Sequence, residues 1–159
     1  MKKKIDAAPL AGKKKKRRLW LIPVILILLI AASVMAMYVA DAPSRAELQS
    51  LSFQEVDFDR LSDGTYVGSF IGTKGSLRDA TVQITVSNGA VSDIRILKGA
   101  VDESGAAQEI GNGKTANDLF NSVLAEKSMQ VDGISGATLT CNAHLKALEN
   151  ALLQAQQEE

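Results

Sequence analysis

Residues 131–140, VDGISGATLT, gather an acid, two glycines, a serine and two threonines directly before a segment with helical periodicity. Two uses fit such a run. The hydroxyls can cap the coming helix, or one of them can serve as an attachment point for a phosphate-bearing group. Gly133 and Gly136 allow backbone conformations closed to other residues and leave room for something to approach, and Ala137 adds almost no bulk. A helix N-terminus presents unpaired N–H groups and the positive end of the helix dipole, which together stabilise a phosphate. Thr138 and Thr140 stand where N-cap residues stand, and on local chemistry alone a capped turn is the commoner outcome.

Three other candidates carry less. GNGKT (111–115) has the end of a phosphate-binding loop, but the full loop needs glycine where Gln108 stands, and no buried strand leads into it. A loop running into a helix N-terminus accounts for it. His144, the only histidine, has no Cys, His or carboxylate cluster at metal-ligand spacing, and its expected place is a solvated or boundary position on a helix. Nothing in the spacing points to a catalytic triad or to any other catalytic residue. Cys141 is the only cysteine, which excludes an internal disulfide; a small buried apolar role is expected for it.

The formal charge of zero averages two unlike regions. Residues 1–18 hold nine of the 18 basic residues and one acid, a net of +8; the remainder holds nine bases and 17 acids, a net of −8. Nucleic acid is an unsuitable partner, because the body repels phosphate and no aromatics are interleaved with the lysines. Between the two regions, residues 19–40 carry no charge, and as a helix they reach roughly 33 Å, enough for a membrane span. Trp20 and Tyr38 lie near its ends, and Pro23 is expected in its first turn. The preceding KKKKRR predicts a cytoplasmic N-terminus and an extracytoplasmic body. A cleaved signal peptide is the rival: Ala40-Asp41-Ala42 resembles a cleavage site, but Pro43 follows it and the apolar run is long, which favours a single-pass anchor.

The expected organisation is a basic tail (1–18), a transmembrane anchor (19–40), a stalk (41–62) and a folded domain (63–157). In the domain, TYVGSFIGT, TVQITV and VSDIRILKG read as strands, with Gly68 and Gly72 marking a bulge or a close backbone approach. Asn88-Gly89 between the last two is a strong hairpin signal. Leu119, Phe120, Val123 and Leu124 predict a helix over about 115–126. Cys141, Leu145, Leu148 and Leu152 predict a second, its apolar stripe facing the sheet. The fold class is α+β, a small antiparallel sheet with two packed helices.

DGISGAT (132–138) resembles the D-x-x-[ST]-G-A-[ST] sequence of the FMN-binding domain family, in which flavin transferases attach FMN through its phosphate to the last hydroxyl. DGTYVGSFIGTKG (63–75), VQITVSNGAVSDIRI (82–96) and SGATLTCNAHLKALENAL (135–152) resemble the rest of that domain. By position the resemblance implies covalent FMN on Thr138, with Asp132, Gly133, Ser135, Gly136 and Ala137 as the segment the transferase reads and the wall around the phosphate. Asp63, Gly64, Tyr66 and Gly68 are motif matches with a weaker claim to flavin contact, and Thr140 is the rival hydroxyl. The E-T-P-G-type segment of ion-pump subunits in this family is missing: AVDESGAAQEIGNGK stands in its place, without proline.

The expected function is therefore a membrane-anchored electron-transfer flavoprotein of the cell envelope, rather than a stand-alone catalyst. Its implied partners are the membrane, a flavin transferase, a membrane redox donor and an extracytoplasmic acceptor. An accessory subunit of an electron-transfer complex and a non-redox binding module on a stalk are the alternatives.

Overall fold

The computed structural model describes residues 15–156, which divide into two units, one ending at Ala40 and one starting at Asp41. Of the basic tail, residues 1–14 lie outside the described residues, as does Gln157 at the expected end of the domain. The first unit is helix α1 (Lys15–Ala40), whose apolar side chains stand exposed, Leu28 by 62% and Met37 by 78%. Exposed leucine and methionine along a whole helix call for a non-aqueous surrounding, and by length and composition α1 fits a membrane anchor and a signal sequence alike. Pro23 lies inside α1 rather than in its first turn, because the helix begins eight residues earlier among the basic residues. Its ring therefore interrupts the backbone ladder, which spanning helices tolerate.

The second unit is α+β. It comprises α2 (Ala42–Gln49), β1 (Gly64–Phe70), β2 (Ala80–Ser87), β3 (Ala90–Lys98), β4 (Glu109–Gly111), β5 (Lys114–Thr115), α3 (Ala116–Glu126) and α4 (Thr138–Ala155). Strands β1, β2 and β3 form an antiparallel meander in that order, and β4–β5 is a separate small hairpin. Along β2, Ala80, Val82, Ile84 and Val86 are buried while Thr81, Gln83 and Thr85 face the other way, half-buried. Asn88 and Gly89, at φ 54° and 72°, make the two-residue turn into β3, since both tolerate the left-handed region.

Helix α4 covers the buried face with Cys141, Leu145, Leu148 and Leu152. Burying each of the larger side chains contributes about 2 kcal/mol. No bulge occurs at Gly68, where the β1–β2 register runs unbroken; the register shifts fall in β2–β3, at Thr81/Val82 and Thr85/Val86. Gly68 is instead a point of close approach: a β-carbon there would lie 2.1 Å from the Ala147 carbonyl oxygen and 2.3 Å from the Ala151 nitrogen. Beside it, Asn150 and Gln154 donate side-chain hydrogen bonds of 2.9 Å to the Ser69 and Val67 carbonyls. One turn apart on α4, they occupy alternate carbonyls on the edge strand β1 and so close that edge to other chains.

Residues 41–62 are not a free stalk. Leu48, Val56 and Leu61 lie in the core, the Leu48 carbonyl accepts from Asn142, and Leu61 pairs with Gln156. The buried Glu149 carboxylate accepts the Gln54 N–H at 2.9 Å and pairs with Lys146, which also reaches the Ser52 carbonyl. Asp41 itself holds Arg78 through two bonds of 2.9 Å. Short and without clear periodicity, the segment reads as linker, but its partners lie tens of residues away in sequence.

Candidate functional site

The residues before α4 form a tight turn in which the Ala137 N–H donates to the Ile134 carbonyl. Gly136 closes it at φ +84°, with nothing within 4 Å of where a β-carbon would stand. Gly133 needs no such conformation, and a β-carbon there meets only the Cys141 Cβ at 3.9 Å. Ile134 plugs the turn into the core, and its N–H points at the Cys141 sulfur, 3.4 Å away.

The N-cap of α4 is Ala137, neither threonine: the Cys141 N–H donates to the Ala137 carbonyl, so Thr138 and Thr140 are the first and third helical residues. No side chain caps this end. Alanine at an N-cap forgoes roughly 1 kcal/mol relative to Ser, Thr, Asn or Asp. Thr138 is exposed, as are Asp132, Gly133, Ser135 and Gly136, whereas Ala137 is buried and Thr140 half-buried. Of the two rival hydroxyls, Thr138 is the more accessible.

The β4–β5 hairpin lies against this turn. A β-carbon on Gly111 would stand 2.9 Å from the Ser135 carbonyl oxygen, and the Asn112 amide approaches the same oxygen at 3.5 Å. The GNGKT run is thus a turn, with Asn112 and Gly113 at φ 51° and 73°, followed by the start of α3. There the Asp118 carboxylate accepts the Thr115 N–H at 2.7 Å and the Thr115 hydroxyl at 3.0 Å. A carboxylate already fills the place an anion would take, and it repels phosphate.

His144 is buried, 2% exposed, and not at a solvated boundary. Its Nε2 accepts the Ala100 N–H at 3.2 Å and its Nδ1 lies 2.8 Å from the Thr140 carbonyl. Burial holds its pKa below the ordinary imidazole value, against the Thr140 carbonyl, which favours the charged ring. Sequence spacing missed it because its polar partners are backbone atoms, one of them 44 residues away. Burial pushes the Cys141 thiol up, so it remains protonated and unreactive. Among the described residues, no three His, Cys, Asp or Glu side chains gather as a metal-binding set.

The matches at the domain opening are placed elsewhere. Asp63 accepts the Gly89 N–H at 2.8 Å at the β2–β3 turn, and the Tyr66 hydroxyl donates to the Ser62 carbonyl at 3.2 Å. Leu61 and Ser62 pair with Gln156 and Ala155, at the C-terminal end of α4. Thr138 is at the other end, about 27 Å along the helix. Asp63, Gly64 and Tyr66 are thus not brought to Thr138, and Gly68 packs under the middle of α4. Their chemistry is that of a strand start and a helix contact.

Residues 75–153 match the model of the FMN-binding domain, a stretch that holds the SGAT turn and begins after β1, so it leaves out Asp63, Gly64, Tyr66 and Gly68. No curated protein matches the chain. Over residues 75–153 the chain belongs to the FMN-binding domain family, and that membership implies FMN as its ligand.

Proposed function

We propose that this protein is a membrane-anchored electron carrier whose FMN is joined through its phosphate to Thr138, on the extracytoplasmic side. The observation that carries the reading is the exposure of Thr138 at the first position of an 18-residue helix that no side chain caps, two residues after a glycine with open space beside it. The N–H groups of Thr138, Leu139 and Thr140 would hold the phosphate oxygens, helped by the positive end of the dipole. Attachment requires the Thr138 oxygen to attack the phosphorus of an activated flavin nucleotide and displace its leaving group. The hydroxyl proton then passes to a base on the transferase. Asp132, Gly133 and Ser135, exposed on the same turn, are available for that enzyme to read.

When bound, FMN supplies one- and two-electron transfer; the chain supplies binding, orientation and exclusion of water. No acid, base or metal ligand of its own is required. A covalent bond suits a domain held outside the cytoplasm, which cannot recapture lost FMN. The basic run leading into the apolar stretch of α1 supports that orientation through the positive-inside rule. The partners of this reading are a redox donor in the membrane and an acceptor beyond it.

The test is a denaturing gel of protein co-expressed with a flavin transferase, viewed for flavin fluorescence, beside Thr138→Ala and Thr140→Ala. The parent and Thr140→Ala are expected to glow and Thr138→Ala to be dark. A dark parent ends the covalent reading, and a glowing Thr138→Ala moves the attachment site.

A further inference from the structure

A polar link between the turn after β3 and the first turn of α4 is a histidine ring with both nitrogens engaged. The Ala100 N–H can only donate, so Nε2 must be the bare nitrogen. Nδ1 then carries the proton and donates it to the Thr140 carbonyl. Gly99 makes room for the ring: a β-carbon there would stand 2.7 Å from Nε2, and its φ of +116° excludes most other residues. Phe120 of α3 lies against the ring, 6.4 Å between centroids.

We propose that His144 is a positioning residue for the FMN-bearing turn, its neutral ring latching the Thr140 carbonyl to the Ala100 N–H and so fixing where Thr138 is presented. The functional half of this rests on Thr138 as the attachment point; the latch itself does not. A proton added to Nε2 would face the Ala100 N–H, donor against donor, in a site closed to water. The latch therefore opens on acidification, freeing the first turn of α4 from the turn after β3.

Charged groups around the ring do not hold it in the protonated form. On the strands, Asp79, whose carbonyl borders the Gly99 position, and Lys98 pair with each other at 3.0 Å, and Asp79 also accepts the Gly72 N–H. On α3 the neighbour is the Phe120 ring, and on α4 the adjacent ionisable group is the protonated Cys141. The Asp79 carboxyl remains ionised across the range in which the ring titrates, since it is held low by Lys98 first and the Gly72 N–H second.

The experiment uses the full chain in detergent micelles, with and without co-expressed transferase, as wild type, His144→Gln and His144→Phe. Imidazole nitrogen shifts are expected to report the Nδ1–H tautomer at neutral pH. The ring should titrate below 6.5, with the Ala100 amide moving at the same midpoint. Fluorescence of the attached flavin should step at that midpoint in wild type and show no step in either variant. Glutamine can still accept from Ala100 but cannot titrate, so it separates the latch from mere filling of the space. An Nε2–H tautomer, a charged ring at neutral pH, or a step that survives in His144→Gln overturns the proposal. A chain that takes up no flavin defeats the Thr138 reading, while the imidazole and Ala100 signals still decide the latch.

Discussion

Two helices of this domain begin after short runs of glycine and hydroxyl residues, and they begin in opposite ways. Helix α3 follows GNGKT and is closed by its own chain, with Asp118 taking both the N–H and the hydroxyl of Thr115. Helix α4 follows SGA and is left open, with alanine at the cap and an exposed threonine just inside. In sequence the first looks more like a phosphate loop. In structure only the second leaves its orphan donors free of a side chain. Two residues separate them: threonine against alanine at the cap, and a carboxylate three places into α3 where α4 has Thr140.

The largest expected effect is all-or-none. Thr138→Ala should abolish covalent flavin, read by fluorescence on a denaturing gel and by the mass of the peptide. Thr115→Ala at the other helix start should leave the flavin in place and cost about 1 kcal/mol of stability, measured by urea unfolding. Equal loss of flavin in both would erase the distinction between the two helix starts.

Next comes the platform that holds the open end. Gly68→Ala forces a methyl into the backbone of α4, against the Ala147 carbonyl and the Ala151 nitrogen, neither of which can move alone. A loss of about 3 kcal/mol or more is expected in chemical denaturation, since overpacking against backbone cannot be relieved by a rotamer change. Gly136→Ala, with open space around it but φ +84°, should cost about 1 kcal/mol through backbone strain alone. A Gly68→Ala protein as stable as Gly136→Ala would mean that α4 is not seated tightly on β1.

How much of this was legible follows from the range of the interactions involved. Alternation in β2, the Asn88-Gly89 turn and the stripe from Cys141 to Leu152 are local patterns, and each reports its element directly. The SGAT turn stood out in the sequence because its residue types are unusual together. Its cap did not, because Ser and Thr at such positions usually cap, whereas the folded chain puts Ala137 in that place. The docking of 41–62 and the burial of His144 were hidden for one reason: both depend on backbone partners remote in sequence, Ser52 and Leu48 for α4 and Ala100 for the ring. Tyr66 and Asp63, motif-like in the sequence, make their hydrogen bonds at the strand ends, to the neighbouring Ser62 and to Gly89, 26 residues away.

An intermediate effect separates the helix starts by pH. His144, next to the open end, is held neutral by burial, so the unfolded chain binds a proton there before the folded one does. Stability from this group is complete above about 6.5 and falls as the pH drops below that value. His144→Gln should remove that part of the pH dependence in urea titrations. If the wild-type curve is flat on going below 6.5, the buried neutral ring is wrong.

The smallest effect belongs to α3. Asp118 has its pKa lowered, first by the Thr115 N–H and then by the Thr115 hydroxyl, so the folded chain releases this proton more readily than the unfolded one. Its contribution is complete above 3.8 and is lost only as the pH falls from there toward the lower folded value. Asp41, Glu47, Asp79 and Asp102 are lowered likewise and share that acid window, so the wild-type curve alone cannot isolate the cap. The difference between wild type and Asp118→Asn can. The two curves should run parallel down to about pH 4 and converge below it, because asparagine retains an acceptor for Thr115 and loses only the charge. With the charge gone, α3 would also lose what repels phosphate, yet no flavin should appear at Thr115. A hydroxyl there is still covered by its cap, and an open helix start needs the cap absent as well as the anion.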